Sequence, residues 1–154
     1  MDNALPRHGE HSDAMSADTY RQPVLWLVVW VGGTVGTGLR FVLSEASPTF
    51  LRIPVGILGI NIVGAFLLGV LMSVLQDRGP DLGRRRLVRL LLGTGLLGGF
   101  TTYSALAVDT VTLARGGLTL HAVGYAGATV LIGALSSVAG IALGERHLGR
   151  GQTP

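Results

Sequence analysis

The stretch LLLGTGLLGGFTTYSALAV, Leu90 to Val108, decides the fold. Its 19 residues carry no charge, close to the roughly 20 residues that cross a hydrocarbon core of about 30 Å at 1.5 Å per residue. Yet its middle is poor helix. Gly98-Gly99 is followed closely by the β-branched pair Thr101-Thr102; glycine costs roughly 1 kcal/mol against alanine, and β-branched side chains lose rotamer freedom in a helix. Backbone groups freed by a break at membrane depth are tolerated only where they are buried in protein or face water or an ion. The stretch therefore predicts a membrane helix broken near its middle, between Gly98 and Leu106, and the break signals a site.

Three further uncharged runs flank it: Pro23 to Leu39, continuing past Arg40 to Leu43; Ile53 to Gln76; and Gly116 to Gly144. Spans are expected at about 24–43, 54–75, 90–110 and 119–143, giving an all-α membrane protein with one transmembrane domain over 23–145. Composition agrees, since the 154 residues have a mean hydropathy of +0.52 and only 14% are charged, against roughly 25% in soluble domains. Without cysteine, disulfides and thiolate metal sites are excluded. Residues 1–22 are too polar for the apolar core of a leader and read as a disordered tail; 146–154 form a second polar tail. The first apolar run is followed by no Ala-x-Ala cleavage site and is read as a retained span.

All twelve cationic side chains are arginines. Arg7, Arg21, Arg78, Arg84, Arg85, Arg86, Arg89, Arg146 and Arg150 share one side of a four-span chain, and only Arg52 and Arg115 lie on the other. The positive-inside rule then places both termini in the cytoplasm, in the plasma or inner membrane. A basic loop beside a bilayer needs no nucleic acid to explain it. The 24 glycines include Gly32-x-x-x-Gly36, a spacing that fits a close helix contact face.

Polar residues inside the spans are few, and they include Arg40 in the first, Asn61 in the second, Thr101, Thr102, Tyr103 and Ser104 in the third, and Tyr125 and Thr129 in the fourth. Such groups are costly unless partnered and mark a pathway. Arg40 can alternatively snorkel to the headgroups, and Asn61 can serve as an interhelical hydrogen bond. Asp109 closes the third span, and no carboxylate stands near a span centre, against a proton-coupled exporter. Neither ligand spacing among the four histidines nor a catalytic triad or carboxylate pair is present, so no enzyme is expected.

Gly32-Gly33-x-x-Gly36-x-x-x-Arg40-Phe41, Gly56-x-x-x-x-Asn61-x-x-Gly64-x-Phe66-x-x-Gly69 and Gly98-Gly99-Phe100-Thr101-Thr102-Tyr103-Ser104 resemble, in order, three signatures of the CrcB/Fluc fluoride channel family. The resemblance covers about residues 24–144. It implies a passive fluoride-selective channel that relieves fluoride toxicity, built as an antiparallel dimer with the broken third helices crossing at its centre. Two fluoride pores and one structural sodium ion on the dimer axis go with that architecture. On this likeness Asn61, Tyr103, Ser104, Leu106, Asp109, Tyr125 and Thr129 belong to the fluoride pore, Arg40 to its vestibule, and the Gly98 and Thr101 carbonyls to the sodium ion. Amide, hydroxyl and aromatic-edge donors suit a small, strongly hydrated anion that must be stripped of water in a narrow pore.

The departures are informative. The two family phenylalanines of the third span read Tyr103 and Leu106 here, and leucine offers no polarised ring edge. Ile57 stands at the position four before Asn61, often threonine in the family, and Gly133 has no hydroxyl. A self-paired antiparallel dimer must insert each chain both ways, yet the arginines are biased nine to two. The expectation is accordingly either a homodimer or an antiparallel heterodimer with a paralogue that supplies the missing ring. A non-conducting partner subunit is a second reading. A small multidrug transporter is disfavoured because no glutamate falls between Asp18 and Glu45.

Overall fold

The computed structural model describes residues 23–50, 53–76 and 81–148. The two predicted tails lie outside these residues, apart from residues 146–148. Helix α1 spans Pro23–Ala46 and leads into a two-stranded antiparallel ribbon, β1 (Thr49–Phe50) with β2 (Ile53–Pro54), in which Thr49 pairs with Pro54 and Phe50 with Ile53. Helix α2 follows directly over Val55–Gln76. The third span, Gly83–Arg115, comes in pieces. These are α3 (Gly83–Val88), a π-helical segment (Arg89–Leu97), α4 (Gly98–Phe100) and α5 (Tyr103–Arg115). Helix α6 covers Thr119–Leu148. Four helical spans are thus long and apolar enough to cross a membrane, as the uncharged runs require.

Three boundaries differ from the sequence-based expectation. The third span starts at Gly83 rather than near 90, because a helix needs only satisfied backbone, and its first turns carry arginine at the membrane edge. Helix α6 continues to Leu148, past the end of the apolar run, for the same reason. The break is confined to Thr101 (φ −77°, ψ 152°) and Thr102 (φ −151°, ψ 131°), while Tyr103 to Leu106 are helical. Thr102 restarts the helix by accepting the Ala105 amide on Oγ1 at 3.3 Å, the role of an N-cap threonine.

Large apolar side chains such as Trp30, Leu120 and Leu135 stand on the outside, at 69%, 83% and 70% exposure. In water such a surface would aggregate, whereas lipid solvates it. With no hydrophobic force between helices in lipid, close backbone approach must hold them together. Helix α1 lies against the π-helical segment and α4 through glycines: a Cβ on Gly95 would sit 2.9 Å from the Val29 carbonyl oxygen, and one on Gly99 2.5 Å from that of Gly33. The Gly32/Gly36 face lies in this contact, as its spacing predicts.

The α2–α6 pair, the most extensive in the fold, uses the same device at Gly69 and Gly140, with a Ser136 hydroxyl donating to the Ile62 carbonyl at 3.0 Å. Helix α5 turns into α6 through Gly117 at φ 78°, where the Leu118 amide bonds the Leu113 carbonyl and the Gly117 amide that of Ala114. This Schellman arrangement needs the left-handed backbone that glycine supplies without a Cβ penalty. Ile57, Ile60, Leu106, Leu113, Ala122 and Tyr125 form the buried cluster joining α2, α5 and α6.

Candidate functional site

The site grows from the break. Asn61 projects from α2 onto it and makes two hydrogen bonds to one residue: its Nδ2 donates to the Thr102 carbonyl at 3.0 Å, and its Oδ1 accepts the Thr102 amide at 2.8 Å. The side-chain amide thereby replaces a lost helical turn, with each bond contributing about 0.5–1.5 kcal/mol net. Gly64, one turn further along α2, leaves room for the Thr101 methyl and the Phe100 ring, which would lie 3.2 Å from an added Cβ. The Thr101 hydroxyl is spent on its own helix, donating to the Leu97 carbonyl at 2.8 Å.

The break takes helical donors away from the carbonyls that precede it. In a continuous helix the Thr102 amide would bond the Gly98 carbonyl and the Ala105 amide that of Thr101. Here Asn61 and the Thr102 hydroxyl take those donors. Gly98 and Thr101, the two positions named from sequence for a sodium ion, are among the residues whose carbonyls lose a helical donor at the break, and the Gly99 carbonyl accepts the Thr37 hydroxyl at 3.4 Å. Hard oxygen donors of this kind suit a hard cation. Among the described residues, no group of three His, Asp or Glu side chains could hold a metal.

The sequence-derived site residues fall into two neighbouring spaces. Asn61, Gly98, Thr101, Tyr103, Leu106 and Thr129 line an open groove of about 480 Å³ on the flank of the subunit. Arg40, Ser104 and Asp109 line a cavity of about 420 Å³, together with Ser44, Glu45, Ser47 and Gly56. Tyr125 belongs to neither lining, but its hydroxyl donates to Asp109 Oδ2 at 3.0 Å. Ser104 Oγ lies 3.0 Å from Thr102 Oγ1, which ties the cavity to the break.

Tyr103 and Leu106, at the family's aromatic positions, part company. Tyr103 is 80% exposed on the groove side, whereas Leu106 is 6% exposed and packed in the core cluster. Thr129 is buried and its hydroxyl bonds the Tyr125 carbonyl at 2.7 Å, so its donor proton is directed to its own helix. The Arg40 Nε is buried and has no hydrogen-bond partner among the described residues, within a cavity also lined by Ser44, Ser47 and Ser104.

Sequence reasoning named Thr102 as a polar residue of the break but not as the residue whose backbone receives the Asn61 clamp, and it missed Ser44 and Ser47, which share the cavity with Arg40. The spacing 40, 44, 47 places the last two on one helix face with Arg40, a signal available in the chain itself.

Tyr125→Phe removes the hydroxyl from Asp109 and leaves a part-buried carboxylate short of a donor. The expected loss is about 1–3 kcal/mol of stability, read as a lowered thermal midpoint in detergent. An unchanged midpoint would show that the pair contributes nothing to the fold.

Residues 27–141 match the family model described as CrcB-like protein, Camphor Resistance (CrcB). A protein of Leifsonia xyli subsp. xyli named "Fluoride-specific ion channel FluC 2" is 55% identical over 118 residues, 77% of this chain and 81% of its own. A Cutibacterium acnes "Fluoride-specific ion channel FluC 1" is 48% identical over 116 residues, 75% of this chain and 81% of its own. The "Fluoride-specific ion channel FluC" of Aquifex aeolicus is 40% identical over 119 residues, 76% of this chain and 94% of its own. The broken span clamped by an asparagine, the four-span architecture and these likenesses agree: the chain belongs to the CrcB family.

Proposed function

We propose that the chain is a subunit of a passive fluoride-selective channel, not an enzyme, that lets cytoplasmic fluoride leave the cell. The observation that carries this reading is the Asn61-clamped break at Thr101–Thr102, in a chain up to 55% identical to proteins named fluoride-specific ion channels. Its parts suit the task. The Arg40 guanidinium and the Ser44, Ser47 and Ser104 hydroxyls make one mouth attractive to a small anion. Asn61 keeps a second amide proton beyond the one donated to Thr102, and Tyr103 brings a ring edge and a hydroxyl to the groove.

The groove supports a dimer. Its floor contains broken backbone, and it opens on a flank where the rest of the surface is apolar. Such backbone does not face lipid, so a second subunit covers it. Antiparallel pairing would bring two breaks together, and the Gly98 and Thr101 carbonyls would hold a sodium ion between them. That ion would supply positive charge at the centre, drawing the subunits together and easing the passage of an anion nearby.

A heterodimer with an oppositely oriented paralogue is the second reading. It is favoured by the nine-to-two arginine bias, by Leu106 lying in the core, and by relatives bearing the numbered names FluC 1 and FluC 2. In it this chain contributes half a pore or serves as a non-conducting partner. The arginine bias also favours an orientation with both termini in the cytoplasm. Hydrogen fluoride crosses bilayers and dissociates at neutral pH, so a negative-inside potential, at about 2.3 kcal/mol per charge per 100 mV, suffices to drive the anion out.

The test is ion efflux from liposomes reconstituted with this chain alone, with chloride as control. Fluoride efflux without chloride efflux is the expected result, and an antiparallel dimer conducting fully on its own would remove the heterodimer. Arg40→Gln keeps hydrogen-bond donors but loses the charge. It is expected to slow efflux by about tenfold at low salt, with the difference shrinking as ionic strength rises. No efflux of fluoride, alone or with a paralogue, would overturn the proposal.

A further inference from the structure

We infer that a groove at the arginine-rich end of the molecule, between α1 and the start of the third span, binds an anionic phospholipid. The inference does not depend on the fluoride reading. Leu25, Trp26, Val29 and Leu90 form the apolar walls of this space of about 330 Å³, and Arg86, Arg89 and Thr94 complete its lining. The first and third spans run the same way through the membrane, so the groove lies within the opening turns of both, at the depth where headgroups meet acyl chains.

Among the described residues only one of the groove's two arginines has a carboxylate partner. Arg89 is engaged by Asp81, with Nε 2.9 Å and Nη2 2.6 Å from Oδ2. Among the described residues Arg86 has no carboxylate partner, and Nε and Nη1 of neighbouring Arg85 are buried without an acceptor. A guanidinium fork matches a phosphate diester. The apolar walls choose the source of that phosphate: a free anion would leave Leu25, Val29 and Leu90 without a partner, whereas an acyl chain covers them. Basic pockets between membrane helices are suited to anionic headgroups, each arginine near the surface contributing about a fivefold preference. A second copy of this chain would bring more arginine rather than phosphate, its formal charge being +3.

Trp26, in the wall of the groove, is the built-in reporter. The chain has two tryptophans, so Trp30→Phe leaves Trp26 alone. The full-length variant is reconstituted in phosphatidylcholine vesicles, and Trp26 quenching is compared for phosphatidylglycerol and phosphatidylcholine carrying brominated chains. Phosphatidylglycerol is expected to associate at least about fivefold more strongly. Arg86→Gln with Arg89→Gln should bring the ratio near one, and Arg86→Lys should retain most of it in a chain whose charge and fold are kept. Arg84→Gln, outside the groove, should leave it unchanged. Equal quenching by the two lipids would overturn the inference. So would an Arg84→Gln loss as large as that of the double variant, which would mean diffuse surface attraction, or displacement by millimolar inorganic phosphate.

Discussion

Asn61→Asp is expected to lower fluoride efflux from proteoliposomes by at least about 100-fold, equivalent to roughly 2.7 kcal/mol. The substitution conserves shape and the acceptor for the Thr102 amide, but turns the Nδ2 donor, 3.0 Å from the Thr102 carbonyl, into a second oxygen. Two acceptors then face each other across the break, and a full negative charge stands beside the proposed route of an anion, where low dielectric strengthens the repulsion. Size-exclusion of the reconstituted protein separates a blocked pore from an unfolded chain. Efflux that survives the substitution would remove Asn61 from the pore and leave it a structural clamp.

Gly36→Val carries the largest expected cost in stability. A Cβ on Gly36 would fall on the Leu96 carbonyl and within 2.9 Å of the Phe100 amide nitrogen, so it meets backbone that cannot rotate away. Overpacking commonly costs 1–3 kcal/mol where side chains can shift, and here α1 itself must lift off the third span, so the loss is expected to reach about 3 kcal/mol or more. The readout is the yield of monodisperse protein and its thermal midpoint in detergent. Gly38→Val, two residues on and facing away from the contact at a glycine with open space around it, should leave both near the parent values. Equal damage at the two positions would mean that glycine is needed there for reasons other than close approach.

The number and approximate position of the spans were legible because lipid selects length and apolarity, which a linear sequence displays. The break was legible for the same kind of reason: Gly98-Gly99 and Thr101-Thr102 weaken helix locally. Its extent was not, because the Thr102 side chain that caps α5 also ends the disruption, and Tyr103 to Leu106 resume the helix. Asn61 could be singled out as polar in an apolar run, but its partner, 41 residues away, depends on how α2 crosses the third span. Equally, sequence gives Leu106 a place in a pore motif without showing that its side chain fills the core. The Arg40 cavity was half visible, since Ser44 on α1 and Ser47 just past its end follow Arg40 at helical spacing, while Ser104 and Asp109 arrive from another helix.

The wide turns of Arg89–Leu97 bear on the register of the third span. Within them the Gly98 amide bonds the Gly93 carbonyl, five residues back instead of four. Narrowing this segment to ordinary α turns at unchanged length would swing everything beyond it around the axis, because a wide turn takes more residues than the 3.6 of an α turn. Gly99 would leave Gly33, and Thr102 would turn away from Asn61. The segment therefore sets the register of everything beyond it, and its wide turns, rather than any single side chain, keep Thr102 facing Asn61.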